Sequence, residues 1–330
     1  METIVASPGI GIDVGKRELV TCIRRLNGVT EPPATFANSS VGFRKFVVHL
    51  VDHGVEKTTP IVLESTGPYH WPAARYLADH GYLSKVVNPL HTKHIARYSI
   101  RKRKTDKIDA AQLAFLASQQ YGYAFVETKE MAKKKALIRH YWKLKLTAGS
   151  LFIHERYLKQ HRGITAASVT NYILQRCETL KARIVKEFGA GNDVKYLDSI
   201  PGITPFLAIT ILSELEPLER FQRIEQIVAF AGLDPAVSQT GGKPGIHGKL
   251  TKRGSRTLRH VLYLAAMGSF RCAWRETYDS YRERGLKHTE TLCILSRKIL
   301  RTAVALLKKR RMFDADYLND RNKKRASIIA

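Results

Sequence analysis

Gly11-Ile12-Asp13-Val14-Gly15-Lys16 decides how the first third of the chain is read. Residues 10–13 close a short apolar run, which predicts a strand ending on a carboxylate. Outward from it, residues 19–23 form a second apolar run, and a turn at Gly28 leads to a third extended stretch near 34–36. That is the rhythm of an antiparallel meander. Asn38-Ser39-Ser40 then offers a helix cap before residues 41–51.

Pro60-Ile61-Val62-Leu63-Glu64 is a β-branched apolar strand, again ending on an acid. Thr66-Gly67-Pro68 turns it into a helix over 69–80, and residues 83–88 give another short strand stopped by Pro89. Three strands, a helix, then strand–helix–strand is the wiring of an RNase H-like sheet. Residues 97–104 read as a basic loop and 107–118 as a helix. The α/β domain is therefore expected over 1–125.

The chain changes character after it. Residues 129–187 are rich in Lys, Leu, Arg, Ala and Glu at helical spacing, with Gly149 and Gly163 among the few breakers. Two long helices, in an antiparallel or intermolecular coiled coil, are expected over a linker or oligomerisation region at 126–195. From 196 to 330 a mostly helical domain is expected, with helices near 205–215, 224–231, 257–267 and 289–308. The stretch 233–252 reads as irregular because of its glycines, and the basic run at 321–325 as a loose tail.

The 330 residues carry 55 Lys and Arg against 29 Asp and Glu, a net +26. Such an excess calls for a polyanionic partner, nucleic acid first; a merely basic soluble protein is the bland alternative. The charge is uneven: residues 241–330 hold 22 Lys and Arg against 7 acids. Cys22, Cys177, Cys272 and Cys293 form no CxxC pair, which argues against a zinc ribbon or a disulfide framework and suits a reducing cytoplasm. No apolar run approaches the roughly 18 residues of a membrane span, and no signal peptide is expected.

Asp13 and Glu64 close strands whose ends can face one cleft, while Asp106 and Asp109, three apart at a helix start, share a face. Four such carboxylates suit two Mg²⁺ ions roughly 4 Å apart, one beside the attacking oxygen and one beside the leaving oxygen of a phosphodiester. Each acid also has a structural reading. Asp13 could be a turn residue, Asp106 an N-cap and Asp109 a partner of the helix dipole. Glu64 is harder to excuse, since an acid closing so apolar a strand is costly.

Ile200-Pro201-Gly202-Ile203 before an apolar helix looks like a helix–hairpin–helix element, with Gly202 exposing backbone N–H groups to a phosphate. Lys249, Lys252, Arg253, Arg256 and Arg259 read as phosphate contacts, against the alternative of a solvated basic face. His247 and His260 are weaker candidates for proton transfer.

These motifs, with Leu-Glu-Ser-Thr-Gly-Pro-Tyr, Val-Val-Asn-Pro, Arg-Lys-Thr-Asp-Lys-Ile-Asp-Ala, Phe-Ala-Gly-Leu-Asp-Pro and Leu-Thr-Lys-Arg-Gly-Ser-Arg-Thr-Leu-Arg, occur in an order that resembles the insertion-sequence 110 family of DEDD transposases and the related Piv/MooV DNA invertases. The resemblance runs over nearly the whole chain. It implies a RuvC-like (RNase H fold) domain in which Asp13, Glu64, Asp106 and Asp109 are the Mg²⁺-binding DEDD set. It also implies site-specific DNA recombination through a covalent protein–DNA link, a composite active site, a guiding bridge RNA and a homodimer or homotetramer acting at the bacterial nucleoid. The family's attacking serine falls here on Thr240, whose hydroxyl is secondary and whose χ1 is stiff. Thr240 as nucleophile, an attenuated or altered site, and Ser238 as substitute all remain open. A nuclease or junction resolvase that uses water, a guide-independent invertase and a non-catalytic nucleic-acid-binding protein are the rival readings.

Overall fold

The computed structural model describes residues 7–65, 69–87, 92, 106–126, 128–163, 167–238 and 246–314. The chain divides into two compact units, 1–127 and 128–330. The loop expected at 97–104, the stop at Pro89 and the basic tail at 321–325 lie outside the described residues.

The first unit is a three-layer α/β sandwich. Its strands are β1 (Gly9–Val14), β2 (Glu18–Arg24), β3 (Ala34–Ala37), β4 (Ile61–Glu64), β5 (Ser84–Val87) and a short β6 (Tyr123–Ala124), in the order β3-β2-β1-β4-β5-β6. β1, β2 and β3 form the expected antiparallel meander, β4 and β5 run parallel to β1, and β6 is antiparallel at the edge. Strand period decides which side chains face which layer. Ile10, Ile12, Ile61 and Leu63 point to one side, into a core with Phe43, Phe46 and Leu50 of α1 (Ser40–Asp52) and Ala73, Ala74 and Leu77 of α2 (His70–Asp79). Each Ile, Leu or Phe buried there stabilises by roughly 1.5–3 kcal/mol. Val62 and Val87 point to the other side, against Leu113, Leu116 and Ala117 of α3 (Asp106–Ser118).

α3 lies directly on the backbone of β1. A Cβ on Gly11 would stand 2.1 Å from the Ala110 carbonyl oxygen and 2.2 Å from the Ala114 nitrogen, and one on Gly9 would stand 2.4 Å from the Ser118 nitrogen. From Gly9 to Gly11 the contact moves from residues 114–118 back to 110–114, so α3 runs antiparallel to β1 and its N-terminus lies towards the C-terminal end of that strand.

The second unit is mostly helical. Thr128 caps α4 (Lys129–Arg162), which ends at Gly163 in the left-handed region, and α5 (Ala167–Phe188) returns antiparallel to it, with Lys133 paired to Glu187. Then come α6 (Asn192–Asp198), α7 (Pro205–Leu215), a 3-10 turn (Leu218–Arg220), α8 (Ile224–Ala231), α9 (Arg256–Ser269), α10 (Arg275–Glu283) and α11 (His288–Lys309). α7 is buried on nearly every face and forms the centre of the core, with Ile209 and Leu212 packed among Leu258 and Leu262 of α9 and Leu295 and Ile299 of α11.

One expectation needs correcting. The segment 233–252 is not irregular throughout: β7 (Pro235–Ser238) and β8 (Ile246–Leu250) pair antiparallel, with Ser238 opposite Ile246. Val237, Ile246 and Leu250 supply β-forming positions on either side of the glycines. α6 and α10 are two further helices, short and polar enough to carry no apolar run of their own.

Candidate active site

Strand register brings two of the four acids side by side. β1 and β4 are paired up to Ile12 opposite Leu63, so the next residues along the two strands are Asp13 and Glu64. By alternation both turn away from the Ile12–Leu63 core, towards the layer that holds α3. The antiparallel seating of α3 brings its first turn, with Asp106 and Asp109, to the same strand ends. Asp13 registers the result. Burial, then the charges of Asp106, Asp109 and Glu64, push its carboxyl up to about 6, while a hydrogen bond involving the Val14 backbone acts the other way.

The fit to a cation can be judged from this arrangement. The donors are hard carboxylate oxygens, and a half-buried anion faces three like charges without a compensating cation in its shift. That donor set suits a divalent cation. Among the described residues, however, no group of three or more His, Cys, Asp or Glu side chains is close enough to clasp an ion as placed. Asp106 is exposed, and Glu64 Oε2 accepts a hydrogen bond from Thr92 Oγ1 at 3.2 Å. The four acids share one electrostatic neighbourhood rather than a closed coordination shell.

Thr92 is a site neighbour that the strand and helix patterns do not single out. Asn38 is another. Its Nδ2 donates to Gly15 O at 2.9 Å and Tyr69 O at 3.1 Å, tying the turn after Asp13 to the start of α2. Asn38 reads in sequence only as part of a helix cap.

In the second unit the expected nucleophile region is the β7–β8 ribbon. Ser238 is the last residue of β7, whereas Thr240 and His247's side chain fall outside what is described. The ribbon's base is closed by Asp234 and Thr251: the Thr251 hydroxyl donates to Asp234 Oδ1 at 2.6 Å and its N–H to the Asp234 carbonyl at 3.0 Å. Lys249 lies in β8, and Lys252 follows at φ 52, exposed like Arg253.

Arg256 opens α9 and is exposed. Arg259 is half-buried and donates from Nη1 to the Ala231 carbonyl at 3.0 Å, which caps the C-terminal end of α8. Burial and then the neighbouring Arg256 lower its pKa. Arg259 thus has a structural task that sequence spacing does not show. His260 lies beside Trp142 at 5.0 Å edge-on, and burial and then Arg256 lower its pKa.

The start of α9 is anchored from below. Ser255 caps it, accepting from the Leu258 N–H at 3.0 Å, and its hydroxyl donates to Glu214 Oε2 at 2.9 Å. Glu214 is only 2% exposed, and its other oxygen has Arg139 Nε at 3.6 Å, beyond hydrogen-bonding range. A buried acid inside an otherwise apolar helix was visible in Ile-Leu-Ser-Glu-Leu, and burial cost is the signal that could have found it.

Gly202 sits between α6 and α7 at φ 90. A Cβ there would stand 2.3 Å from the Ala265 carbonyl oxygen and 2.8 Å from Ser269 Cβ. Its glycine is required for the close approach of α9, whatever else its N–H does.

The strand order and the mixed α/β layering give the first unit the wiring of an RNase H-like sheet. Among solved structures, the chain is similar to T. thermophilus RuvC in complex with Holliday junction substrate, at 11% identity over 36% of this chain and 99% of that one, with a TM-score of 0.28. Two family models match: the DEDD-type IS110 transposase model, described as "Transposase", over residues 10–149, and the model described as "Transposase IS116/IS110/IS902 family" over 194–282. The pilin gene-inverting protein of Moraxella lacunata is 24% identical over 92% of this chain and 97% of its own. The transposase for insertion sequence element IS1111A of Coxiella burnetii is 24% identical over 64% of this chain and 66% of its own. The chain belongs to the IS110-type family of DNA transposases and invertases. It is thereby a DNA transposase or recombinase by class. Among the described residues no helix is long and apolar enough to cross a membrane.

Proposed function

We propose that the protein is a metal-dependent site-specific recombinase of an insertion element, in which Asp13, Glu64, Asp106 and Asp109 are the DEDD set that holds Mg²⁺. The observation that carries this reading is the convergence of the four acids: two at adjacent parallel strand ends, two on the first turn of the helix seated over them. Bound Mg²⁺ would supply charge neutralisation at the phosphodiester oxygens. The chain's own residues do the rest. Asp13 and Glu64 stay fixed by the β1–β4 register, and Thr92 orients one oxygen of Glu64.

The hydroxyl of Thr240, with Ser238 as its substitute, is proposed as the nucleophile. Its Oγ–P bond forms as a deoxyribose oxygen leaves, and the hydroxyl proton passes to a base. Arg256, Lys252, Arg253 and Lys249 hold neighbouring phosphates, and the Gly202 turn offers a further backbone contact. Guidance by a bridge RNA and action on donor and target DNA in the cytoplasm complete the family's scheme. The α4–α5 hairpin leaves Phe152, Ile153, Tyr157 and Tyr172 exposed, and supports a contact between copies in a homodimer or homotetramer.

The test is strand breakage of supercoiled DNA carrying the element's own ends. Cleavage that needs Mg²⁺ and falls by about 10³-fold in Asp13→Asn is expected. Cleavage that persists in EDTA, or in Asp13→Asn, would contradict the metal site.

A further inference from the structure

The turn from α9 into α10 opens a groove of about 340 Å³ lined by Phe270, Arg271, Arg275, Tyr278 and Asp279. That is the small end of the roughly 300–1,000 Å³ of ligand sites. Its apolar part is a braced pair of rings. Phe270 and Tyr278 lie 4.8 Å apart, tilted by 48°. His288 meets Phe270 edge-on at 5.4 Å and Tyr278 at 5.7 Å, and its Nδ1 is 2.6 Å from the Tyr278 hydroxyl. The Tyr278 N–H donates to the carbonyl of buried Trp274 at 2.8 Å. The rings are therefore held in place while remaining half-exposed.

The rim is cationic. The Arg271 guanidinium lies over the Phe270 ring at 5.1 Å, and Arg275 pairs with Asp279 at 3.6 Å with both side chains largely in solvent. The same stretch continues in kind: Arg284 and Lys298 each lie 5.5 Å from the centre of the Tyr281 ring. α10 buries none of its residues fully: Tyr278, like Phe270, packs one side against the helical core and keeps the rest of its ring at the surface. Half-exposed rings covered by arginines are the makings of a stacking platform, because every base has a π-face and every nucleotide a phosphate.

We infer that this groove binds an unpaired nucleotide. The base lies against Phe270 and Tyr278, Arg271 and Arg275 meet its phosphate, and Asp279 accepts from a base N–H. A base inside a duplex hides its faces and does not qualify. The groove is separate from the Arg256 end of α9, since the helix of 14 residues spans roughly 20 Å at 1.5 Å per residue. The inference rests on the nucleic-acid reading above but uses none of its metal chemistry.

The test is fluorescence anisotropy with the full chain in EDTA, using short labelled single strands of dT and of rU and a duplex of equal length. Tyr278→Leu should weaken single-strand binding about tenfold and leave duplex binding within about twofold. Arg271→Gln with Arg275→Gln should flatten the single-strand salt dependence by about one in the log–log slope. The dT and rU arms show whether DNA or RNA supplies the nucleotide. Equal losses on single strand and duplex, or unchanged single-strand binding in a folded Tyr278→Leu protein, would overturn the inference. If Tyr278→Leu does not fold, photo-crosslinking of the unaltered protein to an iodouracil single strand decides it: linkage within 270–279 supports the groove, and linkage confined elsewhere overturns it. Tyr278-dependent binding in a protein that never cleaves DNA would sink the proposed function and leave the groove standing.

Discussion

α3 and α9 each begin with two charged side chains three residues apart, and the signs are opposite. α3 opens with Asp106 and Asp109, α9 with Arg256 and Arg259. A helix N-terminus carries about half a positive charge, so acids there gain roughly 0.3–1 kcal/mol and bases lose a similar amount. The acids of α3 therefore sit where helix physics would put them anyway, and they become informative only because Asp13 and Glu64 arrive beside them. The arginines of α9 stand against the local field. The fold compensates with the Ser255 cap, buried Glu214 beneath it, and the reach of Arg259 to the end of α8. Charge held against the helix dipole is the stronger sign of a binding role; charge that agrees with the dipole needs a second observation.

Breaking the first arrangement should have the largest effect. Gly11→Val puts side-chain atoms where the Ala110 and Ala114 backbone already lies, so α3 must lift from β1. A loss of at least about 3 kcal/mol in the first unit is expected, read as a lower-temperature transition in calorimetry, with cleavage lost too. An unshifted transition would mean that the helix is not seated on the strand.

The second arrangement separates its two arginines. Arg256→Gln should lower DNA affinity and reduce the salt slope by about 0.9, with thermal stability unchanged or slightly raised. Arg259→Gln removes a cap and should cost about 1 kcal/mol, read by urea denaturation. Equal effects of the two substitutions on stability would erase the distinction between an arginine held for binding and one held for the fold.

Asp13 gives the smallest effect, and its sign is fixed. Its carboxyl is raised from 3.8 to about 6 in the folded chain, so between these values the folded state binds more protons than the unfolded one. Metal-free stability should fall as pH rises from about 4 to about 6 and then level off. Partial exposure reduces the size to a few degrees in Tm, about 4 °C. Asp13→Asn should remove this pH dependence and match or exceed the parent's Tm at neutral pH. A parent that gains stability over that interval through Asp13 would contradict the clustering of the four acids.

Much of the first unit is legible because its strands are short, apolar and closed by turn residues, and because strand ends mark Asp13 and Glu64 directly. What brings Asp106 and Asp109 to them is less so. Gly9 and Gly11 announce a close approach, but not that it is by residues nearly a hundred positions later. The β7–β8 ribbon was hidden by the glycines between its strands, which signal turns and say nothing of the pairing on either side. α10 was hidden by its polarity, with Tyr278 and Tyr281 as its main apolar contribution. The structural use of Arg259 depends on Ala231, and no local pattern links the two.

The proposed function requires that the four acids serve a covalent exchange of DNA strands and not hydrolysis. The direct measurement is to denature the protein during Mg²⁺-dependent cleavage of DNA carrying the element's ends, and to map any peptide left joined to the DNA. The expected result is an adduct at Thr240, or at Ser238, that disappears in Asp13→Asn. Cleaved DNA with no attached peptide would contradict it and leave a water-using nuclease in its place.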